Sequence, residues 1–259
     1  MDAFVTAAEL RQSLAQSSPP LLIDVRRNER FRESPYVIQG ALHRDPAAVD
    51  SWKSTLPAAA SVVVYCVHGH EVSQGVANTL GARYLEGGIE HWKEGGGALS
   101  AKPVGAATRW VTRERPKIDR IACPWLVRRF VDPEAEFLYV PTTEVKRVSS
   151  EKSATAYDIP DVEFSHEGER CSFDAFLKNY RLKDPALDEL ALIVRGADTN
   201  RLELAPQAAG LAAISQGLSI LYKNDLAMLE HGMLMYDALY AWCKGGKDEV
   251  HTWNPAAYR

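Results

Sequence analysis

The run Ser61-Val62-Val63-Val64-Tyr65 constrains the fold of this chain more than any other feature. It is short, rich in β-branched residues and bounded by turn formers, which predicts a buried strand. Cys66-Val67-His68-Gly69-His70-Glu71-Val72-Ser73 follows it, and then Gln74-Gly75-Val76-Ala77-Asn78-Thr79-Leu80, which reads as a helix. Further strand signals stand at Leu21 to Val25 and at Tyr84-Leu85, and Thr6-Ala7-Ala8-Glu9 has the pattern of a helix capping box ahead of Leu10 and Leu14. Strands alternating with helices predict an α/β layer structure with a mainly parallel sheet over the first hundred or so residues.

Cys66 stands where that strand ends and the loop to the helix begins. Loop N–H groups and the positive end of a helix both favour an anion, so the position suits a thiolate nucleophile. The cysteine by itself would equally suit a structural role at a strand end.

The surroundings decide for the nucleophile, because they resemble the rhodanese (sulfurtransferase) family. Leu22-Ile23-Asp24-Val25-Arg26 is similar to that family's strand ending in Asp-Val-Arg, Ile38-Gln39-Gly40-Ala41-Leu42 to its Gly-Ala turn, Cys66-Val67-His68-Gly69 to its active-site loop, and Leu85-Glu86-Gly87-Gly88-Ile89-Glu90-His91-Trp92 to its closing signature. The resemblance implies an α/β rhodanese-like fold and sulfur transfer, with Cys66 attacking the outer sulfur of a donor and carrying it as a persulfide. A thiol or cyanide then removes the sulfur, and no cofactor is required. It assigns the anion-binding loop to Val67, His68, Gly69, His70, Glu71 and Val72, and loop support to Asp24 and Arg26. The bland alternative for Arg26 is a salt-bridged surface arginine. Many rhodanese loops carry an arginine five residues after the cysteine, where this chain has Glu71. A carboxylate there repels thiosulfate, a dianion. His68 and His70 offset this when protonated, or are solvated loop histidines. A cysteine phosphatase is excluded, since it needs an arginine six residues after the cysteine and Val72 stands there.

The second half reads as mostly helical (α or α+β). Ile121 to Val131 has helical spacing and Phe137 to Val140 is a short strand candidate. Asp184-Pro185 caps a helix through Leu187, Leu190 and Ile193, and Leu226, Leu229, Met233, Tyr236 and Tyr240 share one face of a last long helix. Trp110 to Arg113, Asp119-Arg120-Ile121-Ala122-Cys123-Pro124-Trp125, Phe164 to Asp174, Ile193 to Asp198 and Tyr236 to Tyr240 resemble the chromate resistance protein family. Asp119, Arg120, His166, Glu167, Cys171, Arg195 and Asp198 form a polar set in apolar contexts, from which a metal or oxyanion site can be assembled. His166 and Cys171 match no standard zinc spacing, so paired structural charges, such as Arg195 with Asp198 one turn on, are the stronger expectation. Cys171 reads either as a thiol at a helix N-terminus or as a small buried residue, and His231 as a packed or surface histidine.

These readings divide the chain into a rhodanese-like domain over 1–103 and a helical domain over 108–259, with Gly95 to Pro103 as linker. The net charge is −4, with 30 basic and 34 acidic side chains, so no basic footprint for nucleic acid is expected. The one basic cluster, Arg113, Arg115, Lys117, Arg120, Arg128 and Arg129, is expected to pair with acids. No long apolar stretch predicts a membrane span, and four scattered cysteines without a CxxC pair fit a reduced, cytoplasmic protein. The expected function is rhodanese-type sulfur transfer linked to chromate or oxyanion resistance. The alternatives are an oxyanion-sensing regulatory protein with a redox-active rhodanese module, or an oxyanion reductase using Cys66. No resolving thiol lies near Cys66 in sequence, which counts against the last.

Overall fold

The computed structural model describes residues 3–16, 19–56, 61–102, 104 and 107–246. The chain separates into two compact units, one reaching Val104, with residues from Ala241 onward grouped with it, and one spanning Gly105–Tyr240.

The first unit runs β1 (Phe4–Val5), α1 (Ala7–Leu14), β2 (Leu21–Asp24), α2 (Asn28–Glu33), β3 (Tyr36–Ile38), β4 (Leu42–His43), α3 (Val49–Trp52), β5 (Val62–Tyr65), α4 (Glu71–Leu80), β6 (Arg83–Leu85), α5 (Gly88–Glu94) and β7 (Leu99–Ala101). The capping box forms: the Thr6 hydroxyl accepts from Glu9 N at 3.2 Å and the Glu9 carboxylate accepts from Thr6 N at 2.8 Å. The sheet has the order β1-β6-β5-β2-β4, and every neighbouring pair is parallel. Its central strands β2 and β5 are almost wholly buried, as β-branched runs covered on both faces should be. Leu10, Leu22, Val63, Tyr65, Leu85, Ile89 and Trp92 build the core around them.

The stretch Gly95 to Lys102, expected as linker, is part of this unit. Leu99–Ala101 pairs antiparallel with Tyr36–Ile38, and the Trp92 indole N–H donates to the Ala98 carbonyl at 3.1 Å. Gly97 serves close approach: a Cβ there would come within 2.2 Å of the Trp92 ring. Small residues admit the indole instead of loosening the chain. Pro103 lies outside the described residues.

The second unit runs β8 (Arg109–Arg113), α6 (Asp119–Leu126), β9 (Glu136–Val140), α7 (Val145–Lys152), β10 (Thr155–Ala156), α8 (Ser172–Asn179), α9 (Pro185–Asp198), α10 (Ala208–Leu221) and α11 (Asp225–Ala241). Its small sheet has the order β10-β8-β9, again parallel. Trp110 and Trp125 anchor an aromatic core with Phe130, Tyr157, Phe164, Phe173, Phe176, Tyr236 and Tyr240. Pro124 lies inside α6 and lacks the N–H that would bond the Arg120 carbonyl. That carbonyl instead accepts from the hydroxyls of Tyr139 and Tyr157, each at 3.2 Å, so the break in the helical ladder is satisfied from the sheet. Asp184 caps α9 as expected, accepting from Ala186 N at 2.8 Å. On α11, Leu229, Met233, Tyr236 and Tyr240 are buried, but Leu226 is 51% exposed because it lies in the first turn, outside the packed part of the helix. Among the described residues no helix is long and apolar enough to cross a membrane.

Candidate functional site

Cys66 follows the last residue of β5, 7% exposed. Its Sγ lies 3.1 Å from the Ser73 hydroxyl, which reaches back from α4. The intervening loop is held from several sides. The Cys66 and Val67 carbonyls accept from Ile89 N at 3.0 Å and Glu90 N at 3.2 Å, the Gly69 carbonyl from the Gln74 side chain at 3.0 Å, and the His70 carbonyl from the Ser73 hydroxyl at 3.2 Å. Gly88 makes the contact with α5 possible: its φ is +59° and a Cβ would fall 2.4 Å from the Val67 oxygen. The carbonyls of Cys66, Val67, Gly69 and His70 are thus occupied, whereas the backbone N–H groups of Val67, His68, Gly69 and His70 donate to no backbone carbonyl among the described residues.

His70 is the N-cap of α4, so Glu71 and Val72 form its first turn and not the loop. Glu71 is exposed there, where a carboxylate complements the positive helix end. His68 and His70 are both exposed on the rim, their rings 6.0 Å apart.

Asp24 and Arg26 form a buried ion pair behind the loop, 0% and 2% exposed, which excludes the surface-arginine alternative. Asp24 accepts from Arg26 Nε at 3.0 Å, from its terminal nitrogen at 2.6 Å and from the Tyr65 hydroxyl at 2.9 Å, while Arg26 also donates to the Tyr36 carbonyl at 2.9 Å. Neither is hydrogen-bonded to Cys66 among the described residues; together they fasten the C-terminal ends of β2 and β5, which lie in register. A cavity of about 240 Å³ opens beside Val67, lined by Arg26, Arg30, Tyr36, Glu90 and Lys93 among others.

In the second unit the fold gathers part of the polar set. His166 Nε2 lies 3.4 Å from Asp119, 3.3 Å from Asp158 and 3.2 Å from Asp198. Cys171 Sγ and carboxylate oxygens of Asp119 and Asp198 lie within 4.8 Å of one another. Asp158 was not among the sequence candidates; its signal was a lone acid among Tyr157, Ile159 and Pro160. One expectation fails here. Arg195 pairs with Asp174 at 2.5 Å and not with Asp198, because α8 brings Asp174 across to it. Glu167 points away and pairs with Lys178 at 2.7 Å.

The electrostatics are those of crowded acids. Burial pushes the Asp119 carboxyl up to about 7; the His166 hydrogen bond opposes this and the charges of Asp158 and Asp198 add to it. Burial also works on Asp158, but hydrogen bonds from His166 and Arg113 leave it below its ordinary value. The close carboxylates of Asp119, Asp158 and Asp198 push His166 up to about 12. Cys171 caps α8, yet burial and then the charges of Asp119, Asp174 and Asp198 drive its thiol upward, so the helix N-terminus does not activate it. Converging carboxylates repel an oxyanion and suit a cation. Ile118, just before Asp119, has a φ of +46°, a strained conformation for a β-branched residue, and its carbonyl accepts from the Tyr236 hydroxyl at 2.8 Å.

Four members of the basic cluster pair with acids, as expected, whereas the Arg115 guanidinium donates to the carbonyls of Tyr222 and Ser219. Arg113 and Arg120 bind Asp158, Arg128 binds Glu230, Arg129 binds Asp237, and Arg115 N donates to Asp225 at 3.1 Å.

Residues 110–243 match the family described as "ChrB, C-terminal domain". The chain belongs to that family. Residues 6–95 match a rhodanese-like domain, so the chain joins a rhodanese-like unit to a ChrB C-terminal domain. Protein ChrB of Cupriavidus metallidurans is 33% identical over 133 residues, which cover 51% of this chain and 40% of that protein. The chain therefore spans well under half the length of this curated relative. Among solved structures, the Alr3790 protein from Anabaena sp. is 26% identical, with 38% of this chain and 82% of that one covered at a TM-score of 0.34. A rhodanese-related protein from Thermoplasma volcanium is 20% identical, with 38% and 97% covered at a TM-score of 0.34.

Proposed function

We propose that this chain is a rhodanese-type sulfurtransferase that carries sulfane sulfur on Cys66, in the setting of chromate or oxyanion resistance. The observation that carries the reading is the Cys66 loop, with the carbonyls of Cys66, Val67, Gly69 and His70 tied down and the N–H groups of Val67 to His70 left free of backbone partners among the described residues. Such donors, with the first turn of α4, stabilise an anionic sulfur without a bound cation.

The Cys66 thiolate attacks the outer sulfur of the donor. A new S–S bond forms, the donor's own S–S bond breaks, and its electron pair leaves with the departing sulfite or thiolate. The Ser73 hydroxyl, 3.1 Å from Sγ, can turn its proton from the His70 carbonyl to the sulfur anion. A thiol or cyanide acceptor then attacks the terminal sulfur, and the electron pair of the breaking S–S bond returns to Cys66. Glu71 at the rim disfavours a dianionic donor, so a thiol-bound or neutral sulfur source suits this site better than thiosulfate.

The ChrB relationship supports the link to chromate resistance. The alternative, direct oxyanion binding by the second unit, is opposed by the carboxylates gathered around His166. Intact-mass analysis after incubation with a persulfide donor tests the proposal. One added sulfur per chain, lost on treatment with a thiol and absent in Cys66→Ala, is the expected result. Sulfur loading that persists in Cys66→Ala would overturn it.

A further inference from the structure

We propose that the ChrB C-terminal unit holds one divalent transition-metal cation between His166 and the carboxylates of Asp119, Asp158 and Asp198, with Cys171 as an adjoining soft donor. The donors come from separate segments: the start of α6, the turn after β10, the loop before α8, the N-cap of α8 and the end of α9. Only tertiary folding brings them to one point, and Asp119, Asp158 and Cys171 are buried there.

The spacing supports a cation. His166 Nε2 stands 3.2, 3.3 and 3.4 Å from three carboxylate oxygens. A charge-assisted hydrogen bond closes to about 2.7–2.9 Å, and one N–H cannot point at three acceptors. Ligands about 2.0–2.1 Å from a tetrahedral ion are separated by about 3.3–3.4 Å, close to the separation of His166 Nε2 from each carboxylate; Asp119, Asp158 and His166 form one set within 4.8 Å, and Asp119, Asp198 and Cys171 a second that shares Asp119. The orienting contacts also fit. Arg113 and Arg120 hold Asp158 Oδ2, leaving Oδ1 toward His166 with the Ser172 hydroxyl donating to it at 2.9 Å. Metal-binding carboxylates are commonly fixed in this way by their neighbours.

An imidazole with carboxylates selects a zinc- or manganese-like ion over magnesium or calcium, which prefer all-oxygen shells.

The test uses the full chain, stripped with a chelator and titrated with Zn²⁺, Mn²⁺ and Mg²⁺ by calorimetry, with bound metal counted by elemental mass spectrometry. One Zn²⁺ or Mn²⁺ per chain is expected, with Mg²⁺ failing to compete at equal concentration. Affinity should fall at least about tenfold in His166→Ala and in Asp198→Asn, and stay unchanged in Cys66→Ser. His166 is 42% exposed and Asp198 lies at the end of α9, so both variants should fold, which near-UV dichroism of the aromatic core verifies. Bound ion should raise the unfolding temperature of the parent chain and not of the two site variants. Absence of a stoichiometric ion overturns the proposal. So does binding that survives both variants, or binding that disappears in Cys66→Ser. Sulfur loading on Cys66 is measured separately, so either proposal can fail without the other.

Discussion

Removing the charge of Asp24 should unfasten the strands beneath the Cys66 loop. Asp24 and Arg26 are 0% and 2% exposed and joined at 2.6 Å, so Asp24→Asn leaves a guanidinium buried without its counter-charge. Breaking a buried pair from one side costs about 3–5 kcal/mol. Replacing both partners, as in Asp24→Leu with Arg26→Met, removes the stranded charge. What remains is the Tyr65 hydroxyl and the Arg26 backbone N–H without their acceptor, while the Tyr36 carbonyl keeps the Ser34 hydroxyl as a donor. Each loss costs about 1–3 kcal/mol, but removing both buried charges also returns their desolvation penalty, which commonly makes such a replacement neutral or better, so the double variant should be the more stable of the two. Hydrogen-exchange mass spectrometry on peptides covering β2 and β5, in the full chain, reads this locally. Asp24→Asn should speed exchange there by about two to three and a half orders of magnitude, and the double variant should recover a substantial part. An acceleration of exchange under about tenfold in Asp24→Asn, or a double variant worse than the single one, would refute the reasoning.

Three further outcomes follow from the same geometry. Gly88→Ala should slow persulfide formation at least about tenfold, because its Cβ collides with the Val67 and Cys66 carbonyl oxygens at 2.4 and 2.5 Å. Gly81→Ala has a similar φ of +63° with open space around it, so it should load sulfur normally, and equal rates in the two variants would refute the packing argument. Burial holds His43 below its ordinary value of 6.5, so the unfolded chain takes up the proton first and stability is lost as pH falls through and below that value. The unfolding midpoint of the first unit should therefore drop between about pH 7.5 and about pH 5.5, and His43→Gln should flatten that dependence; an unchanged slope counts against it. Glu71→Arg should shift the ratio of specificity constants toward thiosulfate and away from a neutral donor by about five- to thirtyfold, less at high salt. Equal changes for both donors would mean that Glu71 does not face the donor.

The first unit was largely legible in the sequence because its information is local. The Val-rich run ending at Cys66, the capping box at Thr6 and the Gly-Gly turn before Ile89 each specify a short element, and elements of that kind in that order admit few parallel sheets. The Asp184-Pro185 helix start was legible for the same reason. Where local signals misled, a distant partner intervened. The glycine run after Gly95 looked like a linker until Trp92 claimed its space and Tyr36–Ile38 claimed its backbone. Arg195 and Asp198 looked like a pair at helical spacing until Asp174 took the first and His166 the second. The cluster around His166 belongs wholly to tertiary structure. No spacing links Asp119, Asp158, His166 and Asp198, because the point where α6, α8 and α9 bring them together is defined by how helices pack and not by any period along the chain. The sequence determined which chemistry each segment carries; packing alone determined which of those groups meet.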